Sequence, residues 1–115
     1  MGNRKIMQDL QEELFSLGIT ENYIGFFFAS YAAFLAVKQP DCLLFVTKWL
    51  YPCVAKKYQT TPTAVEKSIR TVINIIWLQN SDILEEMSPF RLEKRPTVSQ
   101  FISILAHGVK SGEAA

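Results

Sequence analysis

Lys48, Lys56, Lys57, Lys67 and Arg70 stand within one stretch of the chain that holds a single anion, Glu66. That stretch carries a net +4, although the whole chain carries only +1. Lys67 has the reach and charge to donate to guanine O6 or N7, and Glu66 can accept from cytosine N4. Arg70, one turn further on, suits a phosphate, and Thr61 and Thr63 can donate to phosphate from the start of the same helix. Thr71 and Asn74 extend this polar face as phosphate contacts, Ala64 lies among the base-facing positions, and Lys48, Lys56 and Lys57 are placed to clamp the flanking backbone. The chemistry is that of gripping a duplex. The competing interpretation is an ordinary solvated face on a helical hairpin.

Other chemistries find little in the sequence. Cys42 and Cys53 sit at no CxxC or Cys/His spacing, and the chain has one histidine, His107. Such a set is too small for a zinc site. The two thiols read as reduced, partly buried side chains of a cytosolic protein, with a disulfide between them as the other reading. No nucleophile–base pair or phosphate-binding loop is present. The expectation is a protein without enzymatic activity, cofactor or metal.

A duplex-binding face requires a particular pair of helices. The first must carry a small residue where the second crosses it, the turn must be short and polar, and the second must bury one stripe and expose the other. Residues 52–58 form the first helix, with Pro52 suited to its first turn and Ala55 as the small residue. Gln59, Thr60, Thr61 and Pro62 form the turn, with Gln59 where glycine is common for a left-handed backbone. The second, at residues 63–78, has Val65, Ile69, Val72, Ile73 and Ile76 as its apolar stripe. Val65 falls ten residues after Ala55 and plugs back into the first helix. Two start signals compete: Thr61 as cap with Pro62 first in the helix, or Thr63 as cap in a box closed by Glu66. The sequence therefore predicts a helix-turn-helix over residues 52–78, with 63–78 entering the major groove.

The remaining elements are helical too. Ile6, Leu10, Leu14 and Leu17 mark an amphipathic helix over 3–17, stopped by Gly18. Thr20 is placed to cap a second helix over 22–38. That helix is apolar nearly all round, so it belongs at the centre of a bundle. Pro40 ends it. A short apolar helix over 41–50, stopped at Tyr51-Pro52, and a short helix over 82–87 capped by Ser81 follow from the pattern. Pro96, Thr97 and Val98 open a last helix that turns Phe101, Ile102, Leu105 and Val109 inward, and residues 111–115 are expected to fray. Nothing alternates as a strand does. The result is an all-α, about six-helix compact fold, with 1–115 as one domain. The longest apolar run, residues 23–37, is too short to span a bilayer, and residues 1–22 show no basic-then-apolar pattern with a small-residue cleavage site, so a secretory leader is not expected. The expected location is the cytoplasm, with no membrane contact.

Thr47-Lys48-Trp49-Leu50-Tyr51-Pro52-Cys53-Val54-Ala55-Lys56-Lys57-Tyr58-Gln59-Thr60-Thr61, then Val65-Glu66-Lys67-Ser68-Ile69-Arg70 and Trp77, resembles the C-terminal DNA-binding effector domain of the stage-zero sporulation response regulator family. The likeness runs from about Leu10 to Val109. It implies a six-helix domain with an embedded helix-turn-helix that binds short boxes on double-stranded DNA. It also implies a homodimer on tandem sites and transcription control through RNA polymerase. The family's recognition helix carries an Arg-x-Glu-Arg patch followed by a further Arg. Glu66 and Arg70 match it, Lys67 replaces one Arg with the same charge, and Ala64 stands where the first Arg belongs. The family joins this domain to a receiver with a phosphoacceptor Asp, and the expectation from the sequence is that no receiver is present here. The alternative function is a protein-interaction module derived from a helix-turn-helix, with weak or altered DNA readout.

Overall fold

A computed structural model describes residues 2–114, with side chains through Val109. Among them are five α-helices: α1 (Asn3–Ser16), α2 (Ile24–Lys38), α3 (Tyr51–Lys57), α4 (Pro62–Met87) and α5 (Val98–Ala114). A 3-10 turn (Pro40–Leu44) and a π-helical turn (Val46–Leu50) join α2 to α3. The all-helical class holds, with no strand among the described residues, but the expected count of about six helices becomes five.

α1 ends as its sequence dictates. Gly18 adopts a φ of +88°, a left-handed value that glycine reaches without a Cβ penalty. The Ile19 N–H then donates to the Leu14 carbonyl (2.9 Å) and the Gly18 N–H to that of Phe15 (3.0 Å). These two bonds satisfy carbonyls that the helix end would otherwise leave open. Ile19 and Leu14 are both fully buried, which supplies the apolar contact that accompanies this stop.

Thr20 does not cap α2. Its hydroxyl accepts from the Asn22 N–H (3.4 Å), its carbonyl accepts from the Tyr23 N–H (3.1 Å), and the helix begins at Ile24. The threonine spends its bonds on a local turn, a competition open to every short polar side chain. α2 lies at the centre, in contact with α1, α3, α4, α5 and the 3-10 turn. Its buried face is built mainly from small residues, Gly25, Ala29, Ser30, Ala32, Ala33 and Ala36, with Phe26 and Phe28. The helix is not buried all round, since Ile24 at its start is exposed.

The segment after Pro40 differs from the single short helix expected over 41–50. Phe45 (φ −132°, ψ 52°) separates the 3-10 turn from the π turn, and the π turn runs into α3 without a break. Tyr51 is helical (φ −60°, ψ −44°) and Pro52 sits in the first turn of α3. A proline ring crowds the carbonyl one turn earlier and brings no donor. A wider turn just before it accommodates both defects.

α4 joins two helices expected to be separate. At Asn80 (φ −141°, ψ 37°) it kinks instead of ending, so Ser81 lies inside the helix and caps nothing. Asn80 leaves helical geometry because its amide donates to the Leu17 carbonyl at the end of α1 (3.0 Å). The bond links residues 63 apart in sequence, so no local pattern could show it.

α5 starts as expected. The Gln100 N–H donates to Thr97 Oγ1 (3.1 Å), and the Thr97 N–H donates to Gln100 Oε1 (2.9 Å), a reciprocal capping box. Phe101, Ile102, Leu105 and Val109 are all buried. The expected fraying over 111–115 falls outside the residues described in full.

Candidate nucleic-acid interface

The face predicted to grip DNA is mounted on α4, and three features fix that helix. At its start, Thr61 Oγ1 accepts from the Ala64 N–H (3.1 Å) with Pro62 in the first turn. Thr61 is therefore the cap, not Thr63. Thr61→Ala should destabilise the protein by about 1 kcal/mol. For a protein of this size, a thermal melt should register that as a drop of about 5 °C. An unchanged melt would mean the cap contributes nothing.

The turn before α4 is held by backbone. The Thr60 N–H donates to the Ala55 carbonyl (2.9 Å) and the Gln59 N–H to that of Lys56 (3.4 Å). Gln59 adopts a φ of +55°, the left-handed backbone that glycine usually supplies. A non-glycine residue accepts that geometry at a cost of about 1 kcal/mol. Packing holds it in place: the ring of Tyr58 lies 5.3 Å from Phe28 and 6.0 Å from Tyr31 on α2.

Behind the helix, α2 approaches closely. A Cβ on Gly25 would stand 2.5 Å from the Ser68 carbonyl oxygen and 2.5 Å from Val72 Cγ2. Val65, Ile69, Val72, Ile73 and Ile76 are all buried, and so is Ala55 on α3. With that stripe turned in, Thr63, Lys67, Arg70, Thr71 and Asn74 are exposed, and Ala64 and Glu66 are half-buried.

Several of the predicted contact residues already make contacts within the protein. Glu66 sits 3.8 Å from Arg70, an exposed i,i+4 pair of small energetic value. Burial pushes the phenol of Tyr51 up; Glu66 adds to the effect and Arg70 opposes it. Tyr51 thus sits under the charged stripe as a neutral side chain at physiological pH. Thr71 Oγ1 donates to the Lys67 carbonyl (3.0 Å), so its hydroxyl hydrogen is engaged within the helix. Lys57 Nζ lies 5.6 Å from the ring centre of Tyr31, which directs this lysine toward α2. Lys56 is exposed in the last turn of α3. Lys48 lines a cleft of about 630 Å³ with Lys38, Phe45 and Trp49.

One residue absent from the sequence prediction joins the site. Arg95, in the segment before α5, donates from Nη1 to Asn74 Oδ1 (2.6 Å). In sequence it is one arginine in a polar linker, and only the fold sets it beside α4. Among the described residues no group of histidine, cysteine and carboxylate side chains is placed to hold a metal, and Cys42 and Cys53 are free thiols. No helix among them is long and apolar enough to cross a membrane.

An all-helical fold that buries one stripe of α4 and exposes a cationic one defines a class: a helical protein that presents a polar, basic helix face to solvent. The profile of a known family, described as the sporulation initiation factor Spo0A C terminal, matches residues 10–109. The chain belongs to that family, whose members are DNA-binding regulators of transcription in sporulation.

Proposed function

We propose that α3, the turn over residues 58–61 and the first part of α4 act as a helix-turn-helix, with residues 63–78 as the recognition helix of a sequence-specific transcriptional regulator. The observation that carries the reading is the division of α4 into a buried apolar stripe and an exposed stripe of Thr63, Lys67, Arg70 and Asn74. Lys67 and Glu66 read base edges, with Thr63 and Ala64 beside them. Arg70, Asn74, Thr61, Lys56 and Lys57 contact phosphates, and Lys48 and Thr71 complete the flanks. The reading places the protein in the cytoplasm, without a catalytic step, with duplex DNA as ligand. A second copy on tandem boxes and RNA polymerase are its protein partners.

Selection of bound duplexes from a random pool, followed by titration of the winner across salt concentrations, tests this. Affinity should fall steeply as salt rises, because each neutralised phosphate releases counterions. Lys67→Ala should lower discrimination at one base pair by about tenfold, within the range of a base-edge contact. Arg70→Ala should weaken all sequences alike and reduce the salt slope by about 0.9. A pool that yields no preferred sequence would overturn the reading.

Ala64 favours a second reading. Its methyl group stands where the family resemblance places an arginine, and it cannot make a bidentate contact with guanine. A protein-interaction module with weak readout would bind every duplex poorly and leave the random pool unsorted.

A further inference from the structure

Arg70, Ile73 and Asn74 of α4 line a cleft of about 160 Å³ together with Arg95, Pro96 and Val98. We propose that this cleft is a phosphate notch, in which Arg95 adds a DNA-backbone contact from outside the two helices of the recognition unit. The inference rests on the DNA-binding reading and extends it to a residue 21 positions beyond Asn74.

Position along the helix is the first argument. From Thr63 to Asn74 the helix rises about 16 Å, whereas the major groove is about 12 Å wide. A helix that reads bases with its first turns therefore carries Asn74 to the lip of the groove, where phosphates line the edge. Two guanidinium groups at that lip meet a phosphodiester, not a base.

The chemistry of the hydrogen bond is the second. A guanidinium has five donors and no acceptor. Its bond to Asn74 requires the amide oxygen of Asn74 to face Arg95, which turns the amide N–H groups away and leaves them to donate elsewhere. Arg95 spends Nη1 on Asn74 and retains donors on its other nitrogens, and Arg70 remains largely exposed. Among the described residues no carboxylate lines the cleft, and Glu66 lies 3.8 Å from the Nε of Arg70.

Rigidity is the third. Pro96 is buried and restricts the backbone of Arg95 just before it. Thr97 and Gln100 then lock the start of α5 through their capping box. A guanidinium braced in this way loses less freedom on meeting a phosphate than one on a free loop.

The experiment uses the full chain on its selected duplex. Salt titrations and phosphate-ethylation interference are run for the unsubstituted protein, Arg95→Ala, Arg95→Lys and Asn74→Ala. Arg95→Ala should reduce the magnitude of the salt slope by about 0.9, remove one phosphate from the interference pattern and leave the base preference unchanged. Arg95→Lys should restore the slope, because the charge returns. Asn74→Ala should weaken binding severalfold with the slope unchanged, since it removes no charge. Arg95 and Asn74 are exposed, so circular dichroism should show all three variants folded. An Arg95→Ala variant that keeps the slope and every interference site overturns the notch and leaves the helix-turn-helix reading intact. Failure of Arg95→Lys to restore the slope also overturns the phosphate contact and makes Arg95 a positioning residue. Absence of duplex binding by the unsubstituted protein overturns both.

Discussion

Gly25→Val should lower the unfolding free energy by about 3 kcal/mol or more, at the upper end of what overpacking costs. The added carbons would have to occupy space already held by the Ser68 carbonyl and the Val72 methyl. A side chain at Val72 can rotate, but the Ser68 carbonyl belongs to the backbone of α4 and cannot yield without moving the helix. Helix propensity runs the other way, since glycine costs roughly 1 kcal/mol relative to alanine within a helix. At Gly25 the steric effect is larger, so Gly25→Ala should also destabilise, by less than the valine variant. Small proteins have only about 5–15 kcal/mol in total, so the valine change removes a substantial share. Urea unfolding followed by circular dichroism measures the loss. A midpoint equal to that of the unsubstituted protein would show that α2 and α4 separate without cost, contrary to the close approach described above. The functional consequence follows from the same contact. The exposed stripe of α4 is presented by packing against α2, so duplex binding should fall with the folded fraction.

Glu13→Gln should raise stability by about 2 kcal/mol near pH 8 and have almost no effect near pH 4.5. Glu13 lies on α1 with its carboxylate against Gly108 of α5, and Oε2 is buried without a hydrogen-bond partner among the described residues. Burial, and secondarily the charge of Asp9, push its carboxyl up to about 8. In the unfolded chain the group ionises near its ordinary value of 4.5. Between these two values the folded protein holds a proton that the unfolded chain has released. Stability therefore falls as pH rises from about 4.5 to 8, the reverse of a carboxylate paired with a cation. One pKa unit corresponds to about 1.4 kcal/mol, and partial contact with water reduces the full shift to about 2 kcal/mol. Glutamine keeps the volume and has no charge to bury. Urea titrations of both proteins at pH 5 and pH 8 check the effect. Equal pH dependence in the two proteins would exclude Glu13 as its source.

Much of the fold was legible in the chain because it depends on local chemistry. The left-handed stop at Gly18, the opening of α5 at Pro96, Thr97 and Val98 and the inward stripe of α5 each involve residues within a few positions of one another, whereas the sequence left the start of α4 open between Thr61 and Thr63. The exposed stripe of α4 was legible for the same reason, since helical periodicity alone separates Val65 and Ile69 from Lys67 and Arg70. Thr20 shows the limit of such signals. A threonine before a helix can cap it or close a turn ahead of it, and both use the same oxygen. Gln59 shows another: beside its left-handed backbone the half-buried ring of Tyr58 packs against Phe28 and Tyr31, which the local sequence does not reveal.

The sequence by itself determined the helical class, the basic stretch from Lys48 to Arg70 and the family resemblance that residues 10–109 bear out. These follow from periodicity, charge and short motifs, all properties of neighbouring residues. The tertiary structure decided the rest. Asn80 bends α4 because its amide finds the end of α1, 63 residues away, and Glu13 is held near neutrality because α5 closes over it. Arg95 joins Asn74 because the linker returns to α4 before α5 begins. Each depends on groups distant in sequence that meet only after the apolar faces have packed, and burial then sets which polar atoms must find partners.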